Sequence, residues 1–421
     1  MGFSTKFIKG VNDMKPIKKF DYEKFDYDSC YHEIVSEIKK PNILICGATG
    51  AGKSSLVNSI FQLKESEGAT VGKNSRPETR GVKKYETQSG SVNLYDSEGY
   101  EIGGVGTEKA DEYYKNVLAV INDMKNKYHG DMSEYIHEVW YCVSAASKRF
   151  HDVDKKIIKY VMGEKIPVMV LVTKIDQVDK EEMDALIDEI HSQVTSVNIY
   201  TYSANIKENQ PGYEYVQNEE IIKWAMDNLD NSLQNGFIPA VKNDISSKRN
   251  LILKEYIPKY AGIAGATVLG TSFVPVPFSD SVPLMGIQVK MSMSIINVYG
   301  IDASMEKVAA GILGTGMISY IGKTLAAQLL SIVPVIGTGT KATVNVSVAA
   351  TVTAVLGTAM TLLCEQYLKE CVDNNGAENL PFAEFITTEK LKELIVYVKN
   401  NKSEFELDSI INSVIKKNSK N

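Results

Sequence analysis

A chain of 421 residues is too long for one typical core, and at 44% hydrophobic and 23% charged it reads as two or three folded domains, which excludes a disordered or fibrous polymer. A net charge of −6 and a sequence pI near 5.6 argue against a general nucleic-acid binder. The five cysteines are odd in number, widely spread and without a C-x-x-C pair, so they suggest buried reduced thiols in a cytosolic protein and argue against a disulfide frame or zinc site.

Residues 1–38 read as an N-terminal extension with no apolar signal-peptide core, basic at Lys15–Lys19 and then rich in Tyr and Asp. Within it, Tyr31, Ile34, Val35 and Ile38 recur at helical spacing, which predicts one short helix over Ser29–Lys40.

From Pro41 the chain alternates strand and helix signals, the pattern of an α/β domain whose mostly parallel sheet is covered on both faces. The predicted strands are Ile43–Cys46, Val82–Thr87, Val92–Tyr95, Val139–Val143, Val168–Val172 and Val197–Tyr202. Gln88-Ser89-Gly90-Ser91 reads as a hairpin turn between the second and third, giving the sheet an antiparallel edge. Helices are expected near 108–127, 152–162, 179–193 and 217–229.

The apolar run Ile43–Cys46 feeds Gly47-Ala48-Thr49-Gly50-Ala51-Gly52-Lys53-Ser54, which fits G-x-x-x-x-G-K-[ST] without a mismatch. Glycines let such a loop curl so that backbone N–H groups face phosphate oxygens, and the helix that follows adds its positive end. Gly47, Gly50, Ala51, Gly52, Lys53, Ser54 and Ser55 are therefore candidate phosphate-binding residues, Lys53 for the β- and γ-phosphates and the Ser54 hydroxyl for Mg²⁺.

Further landmarks follow in order. Thr79, in Arg76-Pro77-Glu78-Thr79-Arg80-Gly81, could ligate Mg²⁺ and sense a γ-phosphate; Thr70 is its rival, and Thr79 is preferred because the hairpin strand starts just after it. Asp96-Ser97-Glu98-Gly99 fits D-x-x-G, with Asp96 toward the metal and the Gly99 N–H toward the γ-phosphate. Thr173-Lys174-Ile175-Asp176 fits [NT]-K-x-D, where the Asp176 carboxylate would accept from two donors on guanine that adenine lacks, and the Lys174 stem would lie over the purine. Ser203-Ala204 follows the last strand, where a backbone N–H would meet the guanine O6. Most of these residues end predicted strands, which is where open α/β sheets bind ligands.

Taken in order, the set resembles the five guanine-nucleotide motifs of the translation-factor-like small GTPases, Era-like and septin-like branches included, over roughly residues 40–232. The resemblance implies GTP hydrolysed to GDP and phosphate, with Mg²⁺ and with Lys53, Thr79 and Gly99 as the catalytic positions. Two departures stand out. Thr173 occupies the place of a usual Asn, which is expected to weaken the tie to the glycine loop and give modest affinity. Tyr100 occupies the place of a water-orienting Gln, so unaided turnover is expected to be slow. Arg76 and Arg80 flank Thr79 and read either as solvated loop charges or as a charge supplied to the phosphates in cis or across a dimer. His137 and Trp140-Tyr141 read as packing, and His151 has no partner motif.

Beyond the nucleotide domain, set at 39–232, residues 233–375 form an apolar helical domain. Residues 240–257 read as an amphipathic helix, followed by apolar segments Tyr260–Phe273, Val282–Val298, Val308–Ile332 and Ala342–Cys364, with proline punctuation at Val274–Asp280 and Val333–Gly337. Ala342–Cys364 is long enough to cross a bilayer yet rich in Thr and Ser, so a packed soluble bundle is preferred to one that enters or lies on a membrane. The stretch from Pro275 through Gln288-Val289-Lys290-Met291 to Gly300 resembles the helical domain found with bacterial Era-like GTPases, commonly predicted to be membrane-associated. A hydrophilic helical tail over 376–421 completes the chain. The expectation is a cytoplasmic GTP/GDP switch, with a nucleotide-dependent homodimer among its partners, whose helical domain meets a membrane or protein partner and no nucleic acid; a non-hydrolysing, guanine-nucleotide-dependent dimerisation module is the alternative.

Overall fold

A computed structural model of the chain describes residues 22–64, 82–97, 99–100, 107–267, 282–313, 341–373, 380–407 and 409–411. The chain divides into two compact units, Val35–Asp244 and a second made of the described residues of 22–34 and 245–411.

The first unit is built on six strands: β1 Asn42–Gly47, β2 Val82–Glu86, β3 Asn93–Ser97, β4 Glu138–Ser144, β5 Val168–Thr173 and β6 Asn198–Tyr202. Their order across the sheet is β2-β3-β1-β4-β5-β6, with β2 antiparallel to β3 and every other pair parallel. All six strands and the antiparallel edge agree with the sequence reading. β1 and β5 are buried along their whole length, which is why they read as continuous apolar runs. The hairpin turns at Gly90, whose φ of +61° favours glycine and whose N–H donates to the Thr87 carbonyl at 2.9 Å.

Helix α1, Tyr27–Ser36, precedes the sheet; α2 Lys53–Ile60, α3 Thr107–Lys127, α4 Asp152–Gly163, α5 Lys180–Gln193 and α6 Asn218–Asn228 alternate with the strands. Because β1 lies between β3 and β4, the chain leaves it in two directions, and the crevice at its C-terminal end is the topological switch point where such sheets bind ligands. A further helix, α7 Asn231–Ala240, was not foreseen. Asp230 caps it by accepting from the Ser232 and Leu233 N–H groups, while Pro239 sits in its last turn. The compact unit runs from Val35 to Asp244.

The second unit is helical. Helix α8, Ile245–Leu251, passes through a π turn at Ile252–Tyr256 into α9, Ile257–Thr267. Then come α10 Val282–Tyr299, α11 Met305–Leu313, α12 Lys341–Asp373, α13 Phe382–Phe385 and α14 Thr388–Asn400. Helix α12 packs on α9, α10 and α14, and small side chains permit the approach: a Cβ at Gly357 would stand 3.0 Å from Ile257 Cγ1. It runs to Asp373, nine residues past the apolar segment that ends at Cys364, and Glu365 in that extension is paired inside the unit with Arg249. Among the described residues one span, Val348–Val372, is long and apolar enough to cross a membrane, and most of it is buried within the unit. The proline-punctuated stretches Val274–Asp280 and Val333–Gly337 lie outside the described residues.

Candidate functional site

The glycine loop leaves β1 at Gly47, where φ is +135° and a Cβ would fall 2.2 Å from the Cys142 carbonyl oxygen, so only glycine fits. Gly50 and Gly52 also have positive φ, at +77° and +86°, and α2 starts at Lys53. The Lys53 side chain is buried and its Nζ donates to the Gly47 and Ala48 carbonyls at 3.0 and 3.1 Å. The two carbonyls hold this buried ammonium under the curled loop, where it can meet an anion. Thr49 and Gly50, at the crown of the loop, are exposed.

Across from Lys53, Asp96 is 8% exposed on β3. Burial pushes its carboxyl up to about 6, against the opposing pull of the Lys53 ammonium and of hydrogen bonds from Ser54 and Tyr85. Its Oδ1 is buried with no hydrogen-bond partner, an orphaned oxygen that a hard divalent cation would satisfy. Ser55 follows on α2, half-buried. Gly99 has φ of +75°, and a Cβ there would lie 2.7 Å from both Lys53 Nζ and the Thr49 nitrogen. The Thr49 N–H donates to the Tyr100 carbonyl at 2.8 Å, so this segment rides directly on the glycine loop. Thr70, Arg76, Thr79 and Arg80 lie outside the described residues.

At the far end, β5 delivers Thr173, whose Oγ1 donates to the Ala51 carbonyl at 2.6 Å with the Val143 carbonyl 3.3 Å away. Thr173 thus makes a tie to the loop, which passes close enough for the short hydroxyl to reach it, a Cβ at Gly52 falling 3.5 Å from the Thr173 side chain. Lys174 turns the chain in a left-handed conformation at φ +57°, which presents Asp176 at the rim. Because Thr173 pairs with Tyr202, Ser203 emerges next to Asp176. Ser203 Oγ donates to Asp176 Oδ1 at 2.5 Å and Asn205 Nδ2 to Oδ2 at 2.9 Å, while the Ala204 backbone stands exposed between them. Burial pushes the Asp176 carboxyl up, but the Asn205 and Ser203 hydrogen bonds outweigh it and hold it below the usual carboxylate range. Asn205 was missed by the sequence reading; its place just after Ser203-Ala204 was the available signal. A cleft of about 220 Å³ opens beside Asp176, lined by Ile175, Lys180, Ile206 and Tyr215 among others.

Residues 42–174 match a family model described as "50S ribosome-binding GTPase". This stretch is a P-loop GTPase domain. The probable GTP-binding protein EngB of Wolbachia sp. subsp. Brugia malayi (strain TRS) is 26% identical to the chain over 170 residues, covering 40% of this chain and 79% of that protein. Its counterpart in Wolbachia pipientis wMel is 23% identical over 168 residues, 40% of this chain and 78% of that one. Among solved structures, a probable GTP-binding protein engB is similar at 15% identity and a TM-score of 0.30, over 44% of this chain and 97% of that chain. Translation elongation factor SelB from Methanococcus maripaludis, in complex with the GTP analogue GppNHp, is similar at 16% identity and a TM-score of 0.30, over 46% of this chain and 35% of that chain. The matched residues take in the glycine loop, Asp96, Gly99 and Thr173-Lys174; Asp176, Ser203 and the helical unit lie outside them.

One feature of the GTPase domain was only half visible in sequence. Tyr100 does not face the loop crown: its ring is buried, 5.3 Å from the Tyr113 ring, and its hydroxyl donates to Asp154 on α4 at 2.8 Å. His151, which had no role in the sequence reading, is the N-cap of α4 and donates its N–H to Asp154 at 2.8 Å.

Proposed function

We propose that this chain is an Era-like guanine-nucleotide switch that hydrolyses GTP to GDP and phosphate and uses the nucleotide state to govern its helical unit. The observation that carries the reading is the bond from Thr173 to Ala51, which joins the strand end bearing Asp176 to the loop bearing Lys53. One ligand can then engage both, its purine edge at Asp176 and its phosphates at Lys53.

In this reading the backbone N–H groups of the loop and the Lys53 ammonium bind the β- and γ-phosphates, and Gly99 offers its N–H to the γ-phosphate. Ser54 and Asp96 would hold Mg²⁺, with Thr79 as a third ligand; the orphaned Asp96 Oδ1 supports that assignment. Mg²⁺, when bound, neutralises charge on the phosphate oxygens. Asp176 accepts from the two guanine donors, Lys174 covers the ring, and Ser203 and Asn205 orient the carboxylate. Hydrolysis is slow unaided, because no side-chain amide at position 100 orients the attacking water. Arg76 or Arg80 supplies charge in a nucleotide-dependent homodimer. The protein acts in the cytoplasm, with the helical unit as the element that meets a membrane or protein partner.

A second reading, a guanine-nucleotide-dependent dimerisation module without turnover, is favoured by the same withdrawal of Tyr100 into the core. Multiple-turnover phosphate release, measured with GTP and ATP across a range of protein concentrations, decides between them. Turnover per molecule that rises with protein concentration supports the switch with a dimer; GTP bound with no phosphate released supports the module.

A further inference from the structure

Asp154 is 3% exposed and collects three donors from three parts of the GTPase domain. Tyr100 Oη and Tyr141 Oη donate to its Oδ1 at 2.8 and 2.6 Å, and the His151 N–H donates to its Oδ2 at 2.8 Å. Stapling α4 to β4 would account for Tyr141 and His151. It does not account for Tyr100, which belongs to neither element and follows directly on Gly99.

Tyr100 is held at both ends. Its side chain is clasped by Asp154 between the rings of Tyr113 and His151, the latter edge-on at 6.0 Å. Its carbonyl accepts the Thr49 N–H at 2.8 Å. Tyr113 in turn accepts the Gly47 N–H at 2.8 Å, so the cluster is bolted to the start of the glycine loop as well. Gly99, directly before these anchors, packs against the loop so closely that a Cβ there would fall 2.7 Å from Lys53 Nζ and from the Thr49 nitrogen.

We propose that Asp154 is a positioning residue which, through Tyr100, holds the Gly99 backbone in place for a nucleotide's third phosphate. The proposal rests on the guanine-nucleotide reading above. A segment fixed before the ligand arrives spares binding the cost of ordering it. GDP has no γ-phosphate and does not reach Gly99, so the clasp favours the triphosphate specifically and tunes the ratio of the two affinities.

The full chain is titrated with GDP and with GTPγS, both in Mg²⁺, for the wild type and for Tyr100→Phe, Asp154→Asn and Tyr141→Phe. Tyr100→Phe keeps the ring and loses only the tether. It is expected to weaken GTPγS about tenfold, the order of one buried hydrogen bond, while GDP affinity moves less than twofold. Asp154→Asn shifts the ratio in the same direction. Tyr141→Phe removes an equivalent bond to Asp154 without touching the Gly99 segment and leaves the ratio unchanged. A ratio that stays at the wild-type value in Tyr100→Phe while GDP still binds overturns the proposal, as does an equal loss for both nucleotides or an equal shift in Tyr141→Phe. Wild-type protein that binds neither nucleotide overturns the guanine-nucleotide reading itself, and the proposal with it.

Discussion

The Thr173 hydroxyl donates to the Ala51 carbonyl at 2.6 Å, a single bond across 122 positions of sequence that joins the base-reading strand end to the phosphate loop. Both residues are buried, so the carbonyl has no water to turn to if the donor is removed. Thr173→Val keeps the shape and strands that oxygen, a penalty of about 1–3 kcal/mol. Guanine-nucleotide affinity is therefore expected to fall by roughly five- to a hundredfold by calorimetric titration. Unchanged affinity in a folded variant would mean that the loop holds its curl without this tie.

Asp176 is poised as an acceptor, with Ser203 and Asn205 each donating to one of its oxygens. Asp176→Asn replaces one acceptor by an amide donor, which faces the guanine donors unfavourably and suits the carbonyl of xanthine. GTP is expected to weaken by about a hundredfold or more, and xanthosine triphosphate to gain. Calorimetry with GTP, XTP and ATP on the wild type and the variant reads both changes. Wild-type protein that takes ATP as tightly as GTP would sink the whole assignment.

These two contacts also mark what could be read in the chain beforehand. Strands β1, β4 and β5 were legible because each carries a continuous apolar run, and the glycine loop because its spacing is tightly constrained by backbone geometry. Helix α7 was hidden by Gly236 and Pro239, residues that ordinarily argue against a helix; Gly236 is there because a Cβ would fall 2.1 Å from the Lys39 carbonyl oxygen. The extension of α12 past the apolar segment was not legible either, since Glu365 looks like a solvated charge until Arg249, 116 positions away, is brought beside it. Nothing local to Asp154 announces that Tyr100 and Tyr141 converge on it, and no spacing rule connects residues brought together only by the sheet.

Glu138 opens β4 with no exposed surface and one partner, Trp140 Nε1 at 2.9 Å; its Oε1 is buried and unpaired. Burial pushes its carboxyl from an ordinary 4.5 up to about 8. Between those values the folded chain holds a proton that the unfolded chain has released, so this group's contribution to stability falls as pH rises and levels off above about 8. Glu138→Gln removes the titration. The variant is expected to gain on the wild type by up to about 1.4 kcal/mol for each pH unit inside that window. Thermal melts from pH 5 to 9 check it, and two curves that run parallel throughout would show that Glu138 is not the group responsible.

In the helical unit the charge that must be kept satisfied is Glu365, whose side chain is 10% exposed. Arg249 Nε donates to its Oε1 at 2.7 Å, Arg249 Nη2 pairs with Oε2, and the Tyr299 hydroxyl adds a bond to Oε1 at 2.7 Å. The pair ties α8 to α12, and Tyr299 brings in the end of α10. Arg249→Met leaves the carboxylate buried with the tyrosine alone, which for a fully buried pair costs about 3–5 kcal/mol. Arg249 is itself 39% exposed, so water recovers part of that and a loss of roughly 2–3 kcal/mol is expected. Arg249→Met combined with Glu365→Leu removes both charges and should recover most of the loss, because the penalty comes from the stranded carboxylate more than from the missing bond. Urea melts followed by far-ultraviolet circular dichroism measure the change, while fluorescence from Trp140 and Trp224, both in the sheet unit, follows the GTPase domain separately. If the double variant proves no more stable than Arg249→Met alone, the ion pair contributes through its geometry and the stranded-charge account is wrong.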